Sequence, residues 1–352
     1  MPLISIPPVR VMAAELLHLH GAPADIAGDV AEHVVLAERS GHASHGLSIL
    51  PSYLEAVQSG LLNPTAWPSV LHDKGAVLQF DAHRGYGQHA AKLAVSKAMT
   101  RAQHQGACFL TLKNSYHLGR AGHYGEMAAS AGLVYLSFIN IMGRPPTVAP
   151  FGGTQARLST NPLCFATPVA DGRAPLVLDY ATSAIAANKV RLMAASGALV
   201  PPGMLIDGEG KPTRDAHALL AEPHGALLPF GGHKGYALGF LAELLAGVLS
   251  GGETIAPIHP RDGGLRNNLF AIVFDPLNFG EAAWQQSEAS AFTDYVTACP
   301  PSSGNHKVMV PGEPEADLQE KNLHTFQMAD SAWTLFADCA RRSGLSPETC
   351  LG

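Results

Sequence analysis

The segment Asn114–Glu126, NSYHLGRAGHYGE, follows Ala107–Leu112 (ACFLTL), a short apolar run that reads as a buried strand. Glycines then recur at Gly119, Gly122 and Gly125, and the next segment, MAASAG, has helical character. A strand that ends in a polar loop and opens into a glycine-spaced helix is where α/β proteins place ligands. Backbone N–H groups point outward there, and the helix dipole favours anions. The loop also carries His117, Arg120 and His123, an acid/base candidate beside a fixed positive charge. It is expected to sit over a nucleotide cofactor and a small acid substrate.

The flanking chain supports an α/β reading. Val9–His20 places Val9, Met12, Leu16 and Leu17 on one helical face, and Gly21 stops it. Pro23 suits a first helical turn, with Ile26, Val30 and Val34 running on to Arg39, so the N-terminus reads as a helical hairpin. Ser40–Gly60 brackets His42, Ser44 and His45 before another helix, which holds Tyr53; the Pro-rich LNPTAWPSV looks like a boundary. Strands are predicted over Ala76–Phe80, Leu133–Asn140, Leu176–Ser183 and Leu269–Asp275, and helices over Gln88–Gln105, AIAANKVRLMA and the segment with Trp333, Phe336 and Cys339. Gly143–Pro168 reads as one long functional loop and PPGMLIDGEGKPTRD as a surface turn. Pro229–Gly252 reads as a glycine-entered apolar helix whose run Leu238–Leu249 is core.

Gly85-x-Gly87-x-x-Ala90 lies between a strand and a helix and mimics a dinucleotide fingerprint. It fails the rest of the test. The acid that should follow about 20 residues later is absent from Gln105–Leu112, and Asp81–Arg84 separate the first glycine from the strand.

With 352 residues, 47% hydrophobic and 15% charged, the chain can bury a large core and is not disordered. The formal charge of −6 without a basic stripe argues against nucleic acid. No apolar run reaches the ~18 residues of a membrane span, and the N-terminus lacks a signal peptide's apolar core. Five scattered cysteines without a C-x-x-C pair suit reduced thiols in a cytoplasm.

Seventeen histidines demand a role. Three polar clusters stand at element ends: Ser44/His45, His117/Arg120 and Asp179/Thr182/Ser183. If the fold unites them, an imidazole can protonate a carbonyl oxygen while hydride reaches its carbon, with a carboxylate fixing the tautomer. Spacing alone favours a plainer reading, in which His45 caps a helix, His117 lies in a loop and Asp179 forms a turn. His42-x-x-His45 has ligand-like spacing, yet no H-E-x-x-H or Cys/His quartet accompanies it, so no metal site is expected. No G-x-S-x-G or evidently activated cysteine occurs. Lys234 reads equally as an anion ligand at a helix N-terminus or a snorkelling surface lysine.

Taken together, SGHASHGLSILPSY, NSYHLGRAGHYGE, STNPLCFATP, LVLDYATSAIA, VPPGMLIDGEGKPT, GGHKGYALGFLAELLAGVLSGG and the late VPGE run in order along nearly the whole chain. That series resembles the type 2 malate/L-lactate dehydrogenase family of NAD(P)-dependent oxidoreductases. Its PSY, GRxG, LDYATSAIA and HKGYAL spellings are most similar to the hydroxycarboxylate dehydrogenase B group. The resemblance implies a non-Rossmann mixed α/β domain (71–324) that binds cofactor and substrate. A helical domain from the chain ends (1–70 with 325–352) flanks it, and the protein is a homodimer. It implies NAD or NADP as cofactor, and a 2-oxo/2-hydroxy acid pair as substrate, including aromatic acids. Reduction of cyclic imines such as Δ1-piperideine- or Δ1-pyrroline-2-carboxylate is the alternative within the family, suggested by LLPFGGHKG. A non-catalytic ligand-binding protein is the alternative from another class.

The resemblance carries residues over as follows. His45 is the first choice as proton donor, His117 the second active-site imidazole and Asp179 the carboxylate partner. The cofactor is lined by His45, Gly119, Arg120, Ala121, Leu178, Asp179, Tyr180, Ala181, Thr182, His233, Asn267, Gly312, Glu313, Pro314 and Glu315. Ser44, Tyr53, Arg144, Thr160 and Lys234 are substrate-binding candidates. Many relatives carry an arginine four residues after the SHG histidine, whereas this chain has Ile49. The resemblance therefore implies that carboxylate binding shifts to Arg120, Arg144 or backbone donors, and that the pocket is apolar enough for bulky oxo acids.

Overall fold

A computed structural model describes residues 1–169 and 173–352. Strand β1 (Leu3–Ser5) leads into the hairpin of α1 (Ile6–Leu19) and α2 (Ala24–Arg39), followed by α3 (Leu50–Gln58). The apolar face predicted for the first helix is buried, with Val9, Leu16 and Leu17 inaccessible to solvent. It packs with Ile26, Val30, Leu50 and Tyr53 into one helical core.

Strands β2 (Ser69–Lys74) and β3 (Val77–Asp81) precede the long helix α4 (Gly87–Gln105). Then come β4 (Ala107–Ser115), α5 (Gly122–Ser130), β5 (Val134–Met142), β6 (Leu163–Thr167), β7 (Leu176–Tyr180) and α6 (Ala187–Ser196). Short strands β8 (Leu205–Ile206), β9 (Pro212–Thr213) and β10 (Ala226–Leu227) form their own small sheet. Helix α7 (His233–Ala242) runs into a π-helical turn, Glu243–Val248. The chain continues through β11 (Arg266–Phe274), α8 (Ala282–Thr297), α9 (Glu313–Lys321), β12 (Thr325–Gln327) and α10 (Asp330–Arg342). Phe326 and Phe336 complete the N-terminal helical core, and β12 pairs with β1, so both chain ends build one unit.

The main sheet has seven strands in the order β2-β3-β4-β11-β5-β6-β7. Only β3 and β4 run parallel; every other neighbouring pair is antiparallel. Helix α4 supplies the crossover and lays its alanine stripe (Ala90, Ala94, Ala98, Ala102) on Leu78, Phe80, Leu110 and Leu112. Because strands alternate in direction from β4 to β7, the C-terminal ends of β4, β5 and β7 leave the sheet at one edge. That edge receives the segments starting at Tyr116, Gly143 and Ala181.

Several expectations need correcting. Gly143–Pro168 is not one loop, since its end forms β6 between β5 and β7. Pairing on both sides makes that strand, and its flanking prolines hid it. The predicted surface turn contains β8 and β9, with Leu205 and Ile206 buried. The run Leu238–Leu249 is not wholly core: Leu241, Leu244, Val248 and Leu249 are 43%, 42%, 57% and 55% exposed. These side chains lie on the outward face of α7 and the π-helical turn that follows it. β2, whose residues are all exposed, and the amphipathically weak α8 gave no readable period. All five cysteines are free, and Cys108, Cys164, Cys339 and Cys350 are buried. Among the described residues no helix is long and apolar enough to cross a membrane.

Candidate active site

His45 ends a short 3-10 turn, Ala43–His45, between α2 and α3. Glu38 shapes that turn. Its carboxyl accepts a hydrogen bond from the Leu47 N–H (2.9 Å) and presses so closely on Gly46 that any Cβ there would collide with it. Burial pushes the Glu38 carboxyl up to about 7, although the bond from Leu47 opposes this. The turn therefore sits on a buried acid, with His45 facing the sheet edge.

His117 leaves the end of β4 and meets it. The two imidazoles stack with centroids 5.4 Å apart and planes 21° from parallel. The Nδ1 of His45 is 2.9 Å from Ser44 Oγ, and the Nδ1 of His117 is 2.7 Å from the Tyr53 hydroxyl. Burial lowers His45 to about 4, with the Asp179 carboxylate opposing the fall and His42 and Arg120 adding to it. Burial, then His45 and Arg144, lower His117 to about 3. Both rings are neutral at pH 7 in the free protein.

Asp179 is the penultimate residue of β7. Helix α5 crosses over β5, β6 and β7, which brings the Gly122 N–H to Asp179 Oδ2 at 2.6 Å. Asp179 therefore acts on His45 through space, and the hydrogen-bond partner of that imidazole is Ser44. The expected His–carboxylate pair is electrostatic rather than hydrogen-bonded.

Arg120 is displaced from the role of carboxylate ligand. It is 3% exposed, and its guanidinium is engaged by Glu126 and donates to Ser40 Oγ at 3.0 Å, with Asp179 at 3.9 Å. Its backbone N–H donates to His33 Nε2 at 2.8 Å. The side chain clamps α2 to α5 behind the loop, so only the Gly119–Ala121 backbone remains to line a ligand. Asn267 is likewise inward: its carbonyl accepts from the Leu118 N–H (3.0 Å) and its amide donates to the Asn140 carbonyl (3.2 Å). It braces the His117 loop instead of facing a crevice. No spacing rule disclosed His33, whose partner Arg120 lies 87 residues away, nor Glu38 and Glu126, whose partners nine and six residues away follow no helix or strand period.

The remaining candidates fall into two groups. Val177 N–H donates to the Pro311 carbonyl (3.1 Å), which lays Gly312–Glu315 along β7. Glu315 reaches His42 (3.4 Å), so His42 faces a carboxylate. Thr182 donates from N and Oγ1 to the Thr160 carbonyl (2.9 and 3.0 Å) and accepts from the Phe230 N–H (3.0 Å). The exposed His233 and Lys234 thereby stand beside the end of β7, at the N-terminus of α7. Tyr180 meets Phe230 edge-on at 5.2 Å, and Leu178 is exposed. Arg144, just after β5, is exposed and close enough to His117 to influence it.

Residues 4–334 match the malate/L-lactate dehydrogenase family. The chain belongs to that family. It is 50% identical to the L-lactate dehydrogenase of Cupriavidus necator over 331 residues, covering 94% of this chain and 95% of the relative. It is 36% identical to hydroxycarboxylate dehydrogenase B of Escherichia coli K12 over 323 residues, 91% of this chain and 88% of the other. The crystal structure of Δ1-piperideine-2-carboxylate reductase from Pseudomonas syringae superposes with a TM-score of 0.84 at 32% identity, covering 96% of this chain and all of that one. The mixed seven-stranded sheet is thus that of the family, and the protein is an oxidoreductase of the hydroxycarboxylate dehydrogenase type.

Proposed function

We propose that the chain transfers hydride between NAD(P)H and the carbonyl carbon of a 2-oxo acid, reversibly, with His45 as general acid. The observation that carries this reading is the stack of His45 on His117 within the field of Asp179. These residues come from three remote segments and meet at one sheet edge. The surroundings fit a dinucleotide. The Gly119–Ala121 backbone, the β7 end at Leu178–Thr182 and Gly312–Glu315 would hold it, and the Gly231–Lys234 helix entry supplies a cation and N–H donors for phosphate. Once bound, the nicotinamide supplies or accepts the hydride.

The protein's own work is protonic and electrostatic. His45 is neutral in the free protein, so an anionic substrate, added to Asp179, provides the second negative charge that favours its protonated form. His45 then delivers that proton to the carbonyl oxygen and recovers it in the reverse reaction. Arg144, exposed and close enough to His117 to influence it, would meet the substrate carboxylate. Ile49 puts an apolar side chain between His45 and Tyr53 in the chain, at the position where many relatives carry an arginine. We therefore infer a preference for monocarboxylic oxo acids with bulky or aromatic side chains. The expected order of kcat/KM is phenylpyruvate and pyruvate above oxaloacetate; a strong preference for oxaloacetate would overturn the apolar pocket.

A second reading, reduction of a cyclic imine 2-carboxylate, is favoured by the likeness to the Pseudomonas syringae reductase. Adding Δ1-piperideine-2-carboxylate to the same panel, with NADH and NADPH in parallel, decides between carbonyl and imine and between the two nucleotides. The chain works as a homodimer in this reading, with a second copy covering the exposed Leu241, Leu244, Val248 and Leu249. Light scattering should give twice the 36.9 kDa chain mass, and a monomer would reject the dimer. The free cysteines accord with a reducing cytoplasm.

A further inference from the structure

The Arg84–Gln88 segment, which fails as a dinucleotide fingerprint, is built against the strand exit that carries His117. Arg84 N–H donates to the Asn114 carbonyl (2.7 Å), and Tyr116 N–H donates to the Gly85 carbonyl (2.9 Å). A Cβ on Gly87 would collide with the Tyr116 and His117 carbonyls, so only glycine lets the start of α4 lie this close. The result is that Gln88, 1% exposed, places its Nε2 2.6 Å from the Tyr53 hydroxyl, which is itself 2.7 Å from His117 Nδ1.

A phenol has one proton to give. The Gln88 amide donates to the phenol oxygen, so the phenol proton points the other way, to Nδ1. Tyr53 stays un-ionised, since burial raises its pKa well above the usual phenol range. An Nδ1 that accepts a hydrogen bond on a neutral ring leaves the proton on Nε2. We propose that Gln88 is a positioning residue that acts through Tyr53 to hold His117 as the Nε2–H tautomer, a standing hydrogen-bond donor to the substrate carbonyl oxygen. This rests on the reading of His117 as an active-site imidazole, but the tautomer is measurable without turnover. The ionisable groups around the trio are Tyr86, Tyr116 and Tyr124 beside Tyr53, and His45, His33 and Arg144 beside His117; none is a carboxylate.

The test is the ¹⁵N spectrum of histidine-labelled protein, with His117 assigned from a His117→Gln variant, together with kcat for the preferred 2-oxo acid. Wild-type His117 should show an unprotonated Nδ1 and a protonated Nε2. Gln88→Met removes the donor, frees the phenol to turn and should give a mixture of tautomers. The loss of a fixed donor should lower kcat by about 10²-fold. Gln88→Glu is the discriminating variant. Its buried carboxyl donates to Tyr53 when protonated and accepts when ionised, so activity and the wild-type tautomer should both be lost as pH rises through that carboxyl's pKa. Gln88→Met should show no such ionisation. A wild-type spectrum with Nδ1 protonated overturns the proposal, as does a wild-type tautomer in Gln88→Met or identical pH profiles for the two variants. If the Gln88 variants fail to fold, Tyr53→Phe removes the same lock, and an unchanged His117 tautomer in it overturns the proposal equally. Correct tautomers in a protein that reduces no 2-oxo acid would reject the enzymatic reading alone.

Discussion

Replacing His45 with alanine should lower kcat by about 10²–10⁴-fold, the usual worth of a positioned general acid. The fold should survive the change. His45 ends a 3-10 turn that is held by Glu38 and the Leu47 N–H, and neither contact involves the imidazole. The hydroxyl of Ser44 loses one partner but is half-exposed and can turn to water. Nucleotide binding should therefore persist, and a fluorescence titration of the reduced nicotinamide checks it. Near-normal turnover in this variant would move the acid role to His117, the only other imidazole stacked on His45 among the described residues.

The second large effect is on stability. His33, His45, His117 and His123 are all held neutral by burial; neighbouring positive charge adds to it, and Asp179 opposes it at His45. His45 and His123 lie at about 4 and His117 at about 3, against an ordinary value of 6.5. The unfolded chain protonates these rings below about pH 6.5 and the folded chain does not. Unfolding therefore takes up protons, and the stability these groups contribute is complete above 6.5 and lost as pH falls toward 4. Glu38 works the other way. Raised to about 7, it is protonated in the fold and gains stability as pH falls from 7 toward the ordinary carboxylate value. Four histidines outweigh that one acid together with Glu243, whose carboxyl burial also raises and which acts in the same direction as Glu38. Between pH 7.5 and 5 the Tm should fall by roughly 5–10 °C, as expected for a net loss of several kcal/mol in a chain of this size. A Tm that is flat or rising over this interval would mean that the four rings are not buried as neutral groups.

Five of the seventeen histidines have side-chain or backbone partners that give them a structural place. Tyr53 and Ser44 satisfy the ring nitrogens next to the crevice, and the Arg120 N–H satisfies His33. His89 pairs with Asp29 at 2.7 Å, and His42 faces Glu315. Imidazole serves in these places as a compact hydrogen-bonding group within helix and loop junctions.

Local pattern was enough for the elements whose burial has a period. The apolar faces of α1, α2 and α4, the strands β3, β4, β5 and β11, and the glycine-spaced entry to α5 all follow from residues within one helical turn or one strand of each other. The ordered motifs also marked His45, His117 and Asp179, which lie at element ends where chemistry concentrates. Contacts across the chain settled everything else. β6 exists because β5 and β7 pair with both its edges, and Asp179 is fixed at the end of β7 by the N–H of Gly122, 57 residues earlier in the chain. Arg120 and Asn267 are held inward by Ser40 and Leu118, 80 and 149 residues away, so two polar residues that resembled ligands became braces. Spacing along a chain reports which residues share a face. Which side chains then satisfy one another in the interior depends on partners tens to hundreds of residues away, and no local period encodes them.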